Sequence, residues 1–330
     1  MNKKITLAVK RALLGSVFLG ATSLTHAEAP ATYPTKAIRL VVPQSPGSVA
    51  DVMARVLSKP LGALLRQTIV VENRPGGSGA IAAQAVARAE PDGYTILVGS
   101  ISTNGGLLSS IDSSLPYDDL KDFEPITQIN DAPLVIITST QSGLNSLADV
   151  AARARKESGV LTYGSGGNSS GSRFVVELLR LDGKLNMRHI PYRAPAEAVR
   201  AVVSNEATIG APALPGAQAL IEAGRLKALA VTADRRSPLL PNVPTTVELG
   251  YPSAVLYNWT GLFAPAHTPK PIIEKLNAAA RKALTDPDVV KVIHDSGASV
   301  VSQSPDEFHK FVESEVRKWH KAVKDTGIQQ

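Results

Sequence analysis

The sequence predicts an α/β fold of two lobes joined by a hinge, each lobe a mainly parallel sheet flanked by helices. From residue 37 onward, short apolar runs alternate with helical patterns, which is typical of parallel strands buried on both faces. The length of 330 residues corresponds to about two domains. A composition of 44% hydrophobic and 19% charged residues argues against a disordered chain. These observations together favour two packed α/β units.

The first 27 residues have the pattern of an export signal. Four basic residues and no acid accompany an apolar run, Ala12–Leu24, and small residues follow at Thr25 and Ala27. We therefore predict a signal peptide over 1–27. The alternative is an N-terminal membrane anchor, although the run is short for about 30 Å of hydrocarbon. Without this segment the formal net charge falls from +6 to +2, which removes the electrostatic argument for nucleic-acid binding.

Strands and helices follow in regular order along the rest of the chain. The predicted strands are Ile38–Val42, Thr68–Val71, Tyr94–Val98, Leu134–Thr138, Val160–Tyr163, Met187–Pro191, Ala207–Ala211 and Leu226–Thr232. A capping residue followed by proline marks each of the last three helices, at about 269–284, 287–296 and 305–323. With crossings placed near Ala132 and Tyr257, the predicted domains are 28–132 and the return segment 257–330 in lobe 1, and 133–256 in lobe 2.

Two predicted strand-to-helix turns contain residues suited to an anion. Leu40–Asp51 runs from a strand through a Pro-Gly turn into a helix that opens near Ser48. Leu161–Gly171 runs from a strand through glycines and serines into a second helix. Glycine lets the backbone approach a ligand closely, and the first N–H groups of a helix are unpaired and carry partial positive charge. Each turn is a candidate carboxylate site, the alternative being an ordinary strand–helix connection.

The candidate ligand-binding residues lie in these turns and near them. The turns supply backbone N–H groups and hydroxyls from Gly47, Ser48, Val49 and Ala50, and from Ser165, Gly166, Gly167, Asn168, Ser169 and Ser170. Ser100, Thr103 and Asn104 follow another predicted strand and are expected to line the same cleft. Arg173, in the first turn of the second helix, is a candidate partner for a ligand carboxylate or else a solvated residue. Asp51 is expected to cap its helix, because its charge would repel an anion.

Several classes of cofactor protein lack their signatures here. Cysteine is absent, which excludes disulfides, a thiolate nucleophile and cysteine-held metal centres. Neither turn continues into the Gly-Lys-Ser/Thr of a nucleotide phosphate loop, and neither has the G-x-G-x-x-G pattern followed by an acid. The six histidines lack metal-ligand spacing. We therefore predict no cofactor and no metal.

A serine hydrolase is the alternative function that the sequence leaves open. Gly167-Asn168-Ser169-Ser170-Gly171 matches the G-x-S-x-G nucleophile elbow and lies between a predicted strand and a helix. The acid would come from Asp234 or Asp286, and the base from His267, His294 or His309. Against this, no HGGG-like oxyanion segment precedes the elbow, and a loop rich in serine and glycine meets the pattern easily by chance.

The mature chain resembles the substrate-binding proteins of tripartite tricarboxylate transporters, the Bug or TctC family. The resemblance covers essentially the whole mature chain. It rests on YPTK (33–36), VVPQSPGSVAD (41–51), VVENRPGGSGAIAAQAVARAEPDGYTILVGS (70–100), LPYDDLKDFEPIT (115–127), YGSGGNSSGS (163–172), HIPYR (189–193), GRLKALAVTADRRSPLLPNVPTTVELGY (224–251) and WTGLFAPAHTP (259–269). It implies a two-lobed periplasmic binding protein of type II-like fold that closes on a small carboxylate-bearing solute and delivers it to membrane transporter subunits.

The resemblance also marks positions in the site and departures from the family. Ala211 and Pro212 stand in a loop that faces the ligand in the family and often carries more polar residues. Ser48 replaces a glycine that is common there, and Arg173 stands where a histidine is frequent. These departures leave the identity of the solute open. The expected partners are a carboxylate and transporter subunits, without nucleic acid and with the protein as a monomer. A sensor role, or an adhesion module that reuses the fold, is an alternative.

Overall fold

Two β-sheets organise the chain in the computed structural model, which describes residues 33–156, 160–167 and 170–327. The predicted signal peptide lies outside these residues, and residues 34–330 group into one unit. The strands of the first sheet are β1 (Ile38–Val42), β2 (Ile69–Asn73), β3 (Thr95–Ser100), β4 (Phe123–Asp131), β10 (Thr260–Pro265) and β11 (Ser299–Val300). Those of the second are β5 (Val135–Ser139), β6 (Leu161–Ser165), β7 (Met187–Pro191), β8 (Ile209–Gly210) and β9 (Leu226–Val231).

Helices flank both sheets. Those that come before β5 or after β9 are α1 (Val49–Leu65), α2 (Ala80–Ala87), α7 (Lys270–Ala283), α8 (Pro287–Asp295) and α9 (Pro305–Thr326). Those between β5 and β9 are α3 (Leu147–Lys156), α4 (Gly171–Gly183), α5 (Pro195–Val203) and α6 (Pro215–Glu222). The three predicted C-terminal helices correspond to α7, α8 and α9. No helix within the described ranges has the length and apolar character needed to cross a bilayer.

Five strands of the first sheet are arranged like the five strands of the second, and β11 is an additional edge strand. The first sheet has the order β2-β1-β3-β10-β4-β11, and the second has β7-β6-β8-β5-β9. In each, three parallel strands stand beside one antiparallel strand, which is β10 in the first sheet and β5 in the second. These antiparallel strands are the first strands after the chain crosses from one sheet to the other. The α/β class and the two flanked sheets agree with the sequence prediction.

Most strands of each sheet run in one direction, as the sequence predicts, and antiparallel strands are placed among them. Among the described residues, three of the five strand pairings in the first sheet and two of the four in the second are antiparallel. The first strand after each crossing, β5 or β10, runs against both of its neighbours. The sequence reading missed β4, whose buried residues include Thr127, Gln128 and Asn130, because polar residues interrupt its apolar pattern.

The two crossings between the sheets run side by side. Pro133 in the first crossing and Tyr257 in the second form an antiparallel bridge, and the Asn258 N–H donates to the Ala132 carbonyl at 2.7 Å. The buried Thr232 adds to this pairing by accepting a hydrogen bond from the Leu134 N–H at 2.9 Å. We call this paired two-stranded connection between the sheets the hinge.

Helix α9 carries a buried carboxylate that joins two buried tryptophans, one on the helix itself and one at the end of the second crossing. The Glu315 carboxylate is only 6% exposed and accepts from the indole N–H groups of Trp259 and Trp319, each at 3.2 Å. Trp259 lies at the end of the second crossing, whereas Trp319 packs edge-to-face on Phe174 of α4 with 5.7 Å between ring centroids. Lys318 supplies an ion pair to the same carboxylate. The C-terminal helix is therefore fixed to the hinge and to the second sheet's helices together.

The substitution Glu315→Ala tests this buried contact. Removing the carboxylate leaves two buried indole N–H groups without an acceptor, so we expect the free energy of unfolding to fall by about 3 kcal/mol. Urea denaturation followed by far-ultraviolet circular dichroism measures it. The control is Glu313→Ala, on the same helix but partly exposed, which should change stability by about 0.5 kcal/mol or less. Equal effects of the two substitutions would contradict the assignment.

Candidate functional site

The two candidate turns occupy equivalent places in the two sheets. One joins β1 to α1 and the other joins β6 to α4, and β1 and β6 each lie between two parallel neighbours. In each sheet the chain leaves the middle one of the three parallel strands toward one side and later returns on the other side. In α/β sheets this reversal opens a crevice at the carboxyl ends of the strands. The topology therefore places both turns where α/β proteins bind ligands.

The first turn is organised around the Asp51 carboxylate. This side chain is buried, accepts hydrogen bonds from the Gly47 N–H and from Asn73 Nδ2, both at 2.9 Å, and pairs with Arg55 at 2.9 Å. The Arg55 guanidinium and the Gly47 N–H lower the pKa of Asp51 to about 2. Ser48 caps α1 by accepting from the Asp51 N–H at 3.2 Å. The expectation that Asp51 supports the helix start agrees with this geometry.

The same contacts correct the list of available donors in the first turn. The Gly47 N–H is engaged by Asp51, and the Ser48 N–H donates to the Ser45 carbonyl at 3.2 Å. Val49 and Ala50 are the first two helical residues, and helix geometry leaves the first N–H groups of a helix without an intrahelical acceptor. Of the four residues predicted in this turn, Val49 and Ala50 thus stand where helix geometry leaves backbone donors open, whereas Gly47 and Ser48 shape the turn.

The second turn closes on the Gly167 carbonyl. This oxygen accepts from the Ser165 hydroxyl at 2.9 Å, from the Ser170 hydroxyl at 2.7 Å and from the Ser170 N–H at 3.3 Å. Gly167 has a φ of +117°, a conformation that favours glycine. The Gly166 N–H donates to the Ser172 hydroxyl at 3.4 Å. The hydroxyls of Ser165 and Ser170 are therefore committed within the turn, contrary to the expectation that they face a ligand.

The open donors of the second turn belong to residues that the sequence reading missed. Ser170 is the cap of α4, so Gly171 and Ser172 are its first helical residues, and among the described residues their N–H groups have no acceptor. Treating Ser170 as the N-cap, three residues before Arg173, would have identified them from the sequence. Predicted residues Asn168 and Ser169 lie outside the described residues.

A chain of hydrogen-bonded polar side chains, buried except for the partly exposed His189 and Arg180, lies beneath the second turn. His189 Nε2 is 2.7 Å from the Ser165 hydroxyl, and the imidazole stacks on Tyr163 with 4.9 Å between ring centroids. The Tyr163 hydroxyl donates to Glu177, which also pairs with Arg180 at 2.5 Å. Burial, followed by the positive charge of Arg173, lowers the pKa of His189 to about 4. The imidazole is therefore neutral at physiological pH.

The residues predicted after β3 are mostly internal. Thr103 and Asn104 are 1% and 0% exposed, and the Thr103 hydroxyl donates to Asn104 Oδ1 at 2.8 Å. Thr103 also accepts from the Ser100 N–H at 2.9 Å, which leaves Ser100 as the partly exposed member of the group. The expectation that all three line an open cleft is corrected, because two of them support the end of β3 from inside.

Ala211 and Pro212 lie at the hinge and are buried. The Pro212 carbonyl accepts from the Val135 N–H at 2.9 Å, which ties the end of β8 to the first crossing. Their backbone thus supports the junction between the sheets, and their side chains contribute apolar surface there.

Both helix starts adjoin the crossings. In the second turn of α1, Met53 Sδ accepts from Asn130 Nδ2 at 2.8 Å, at the end of β4. At the start of α4, a Cβ added to Gly171 would lie 3.3 Å from the Leu256 side chain in the second crossing. Each helix therefore begins close to the region where the chain crosses between the sheets. The described part of the chain holds no group of three or more potential metal ligands.

Two flanked sheets, a paired hinge and a helix N-terminus from each side define the class of two-lobed binding proteins. Residues 53–328 match the family model described as the tripartite tricarboxylate transporter family receptor. The chain is 33% identical to Protein BugT of Bordetella pertussis over 311 residues, covering 94% of this chain and 95% of BugT.

Solved structures agree with the family match. Periplasmic binding protein BugD is 30% identical with a TM-score of 0.74, covering 90% of this chain and 99% of BugD. MatC from Rhodopseudomonas palustris, solved with bound malate, is 31% identical with a TM-score of 0.73, covering 88% of this chain and 100% of MatC. The chain belongs to the TctC family of tripartite tricarboxylate transporter receptors. Members of this family are periplasmic solute-binding proteins and not enzymes, which sets aside the serine hydrolase alternative.

The substitution Asp51→Asn tests the organisation of the first turn. It weakens the contacts to Gly47 and Arg55, so we expect unfolding free energy to fall by about 2 kcal/mol. Because the folded pKa of about 2 lies below the ordinary value of 3.8, this stabilisation is fully present above pH 4 and is lost as pH falls toward 2. Urea denaturation should therefore show a constant deficit between pH 5 and 8. The control is Asp92→Asn, at an exposed ion pair with Lys36, which should lower the free energy of unfolding only slightly.

His189 should make stability fall in acid. Its folded pKa of about 4 lies below the ordinary 6.5, so the unfolded chain binds the extra proton between these values. The contribution of His189 to the free energy of unfolding is fully present above pH 6.5. It declines as the pH falls toward 4, by up to about 1.4 kcal/mol per pH unit. Urea denaturation midpoints are measured at pH 7, 5.5 and 4.5. The decrease in midpoint from pH 7 to pH 4.5 should be smaller for His189→Gln than for the wild type. The exposed His309→Gln should keep the wild-type slope; identical slopes in all three proteins would refute the assignment.

Proposed function

We propose that the chain is an extracytoplasmic receptor that captures a small carboxylate-bearing solute between its lobes and delivers it to the membrane subunits of a tripartite tricarboxylate-type transporter. The observation that supports this most directly is the pair of helix N-termini, one from each side, beside the same hinge. Family membership supports the transporter partnership, and the malate named for MatC supports the chemical class of the solute.

The proposed contacts are backbone N–H groups from both turns. Val49 and Ala50 of α1 and Gly171 and Ser172 of α4 offer the donors that the turns leave open. Each helix N-terminus carries about half a positive charge, which favours a carboxylate oxygen there. Arg173 adds a full positive charge one residue further along α4, and we assign it to a second carboxylate of the solute.

Binding is proposed to stabilise a closed arrangement of the two lobes. We take 28–132 with 257–330 as the first lobe and 133–256 as the second, joined at the paired crossings. Either turn alone offers a few donors, whereas closure brings both sets onto one ligand, so the ligand shifts the population toward the closed form. We further propose that residues 1–27 direct export, that the protein acts as a monomer and that nucleic acid is not a partner.

Isothermal titration calorimetry against a panel of mono- and dicarboxylates tests the proposal. We expect saturable binding of at least one dicarboxylate to the protein lacking residues 1–27, accompanied by a rise in melting temperature. Arg173→Ala should weaken that binding by about tenfold or more, because a charge-assisted hydrogen bond is lost. The control Arg225→Ala lies at the amino end of β9, away from the turns, and should bind as the wild type does. The absence of binding and of stabilisation with every carboxylate would reject the function.

A further inference from the structure

The proposed contacts leave one pair of polar side chains beneath the second turn, the buried Ser165 and the partly exposed His189, without a function. Ser165 is 0% exposed, and its hydroxyl is 2.7 Å from His189 Nε2. Serine and histidine at this distance also occur in nucleophilic dyads, in which the imidazole accepts the serine proton. The other hydrogen bonds of Ser165 show whether its hydroxyl donates to His189 or accepts from it.

The Ser165 hydroxyl has one proton and two lone pairs. Its proton is directed to the Gly167 carbonyl at 2.9 Å, and one lone pair accepts from the Gly167 N–H at 3.3 Å. The second lone pair then faces His189, so the imidazole must be the donor in that contact. A neutral imidazole has one protonated nitrogen, and this places the proton on Nε2.

The surroundings keep the imidazole neutral. Arg173 and Arg180 on α4 both oppose a charge on His189, and Glu177 on the same helix favours one. The Glu177 carboxylate is already bound by Arg180 and by the Tyr163 hydroxyl from β6, which limits its effect on the ring. Tyr163 covers one face of the imidazole. His189 therefore acts as a fixed neutral donor.

We propose that His189 is a positioning residue for solute binding, which donates from Nε2 to Ser165 and thereby holds the binding turn in shape. Ser165 in turn holds Gly167, whose carbonyl also receives the Ser170 cap of α4. This chain of contacts aims the open N–H groups of Gly171 and Ser172. The proposal rests on the proposed function for its consequence in binding, but the orientation of the hydrogen bond can be tested without any ligand.

The first experiment is a long-range ¹H–¹⁵N correlation spectrum of the histidine side chains at pH 7, with His189 assigned through the His189→Gln spectrum. The expected result is a neutral imidazole protonated on Nε2. Protonation on Nδ1, with Nε2 accepting from Ser165, would overturn the proposal. So would a protonated ring at this pH. The outcome does not depend on whether a carboxylate binds.

The second experiment compares two substitutions at one position. The amide nitrogen of glutamine can present an N–H near the place of Nε2, whereas leucine cannot, so His189→Gln should preserve the turn and His189→Leu should not. In the ligand-free protein, the backbone amide shifts of Gly171 and Ser172 should change in the leucine variant and stay close to wild type in the glutamine variant. Equal shifts in both variants would contradict a role for the donor.

Calorimetry with the strongest-binding carboxylate of the panel then measures the effect on binding. We expect His189→Leu to raise Kd by about tenfold and His189→Gln by about threefold or less, which is typical of losing or keeping one buried hydrogen bond. Ser165→Ala should act like His189→Leu, and the double variant should be no worse than either, because both break the same chain. Additive effects would overturn the proposal.

Controls separate this result from loss of fold and from failure of the proposed function. Circular dichroism and melting temperature establish that each variant is folded at the temperature of the titration, and His309→Leu, at an exposed position on α9, should bind as the wild type does. If no carboxylate binds the wild type, the proposed function fails, while the imidazole spectrum and the amide shifts still decide the positioning role.

Discussion

The pairing of the two crossings is the constraint on which the rest of the structure depends. The Pro133–Tyr257 bridge and the 2.7 Å hydrogen bond from Asn258 to Ala132 hold the ends of both sheets side by side. In each sheet a strand-to-helix turn follows the middle one of three parallel strands, and the helices that follow, α1 and α4, begin close to the crossings. Without the paired crossings, each sheet would carry one candidate turn, and nothing would bring the two turns to the same junction.

The two turns are held in shape by different kinds of side chain, charged in the first turn and neutral in the second. The first uses an ionised carboxylate, Asp51, whose charge is offset by Arg55 close to the donors of Val49 and Ala50. The second uses neutral groups, with His189 and Ser165 holding the Gly167 carbonyl. A full negative charge beneath a site for an anion costs binding energy unless a cation compensates it. The second turn avoids that cost by relying on a neutral imidazole.

Most of the fold could be predicted from the sequence, whereas the detailed roles in the site could not. Strands such as Met187–Pro191 and the proline-marked helices have local signals of apolar period and capping, and the structure has them within a few residues. β4 has no such signal, because Thr127, Gln128 and Asn130 are buried through tertiary hydrogen bonds. The roles of the site residues also depend on tertiary contacts, which the sequence alone does not reveal. Sequence locates Ser165 in a binding turn, but only the positions of His189 and Gly167 show that its hydroxyl faces inward.

Helix α9 adds a second connection between the two sheets. The Phe174–Trp319 contact joins α4, which begins at the second turn, to the C-terminal helix, and Glu315 connects Trp319 to Trp259 at the end of the second crossing. The start of α4 also lies close to Leu256 in that crossing. Contacts with α9 and with the crossing therefore fix the position of α4. The shape of the turn in front of this helix depends in addition on the contacts of His189 and Ser165 beneath it.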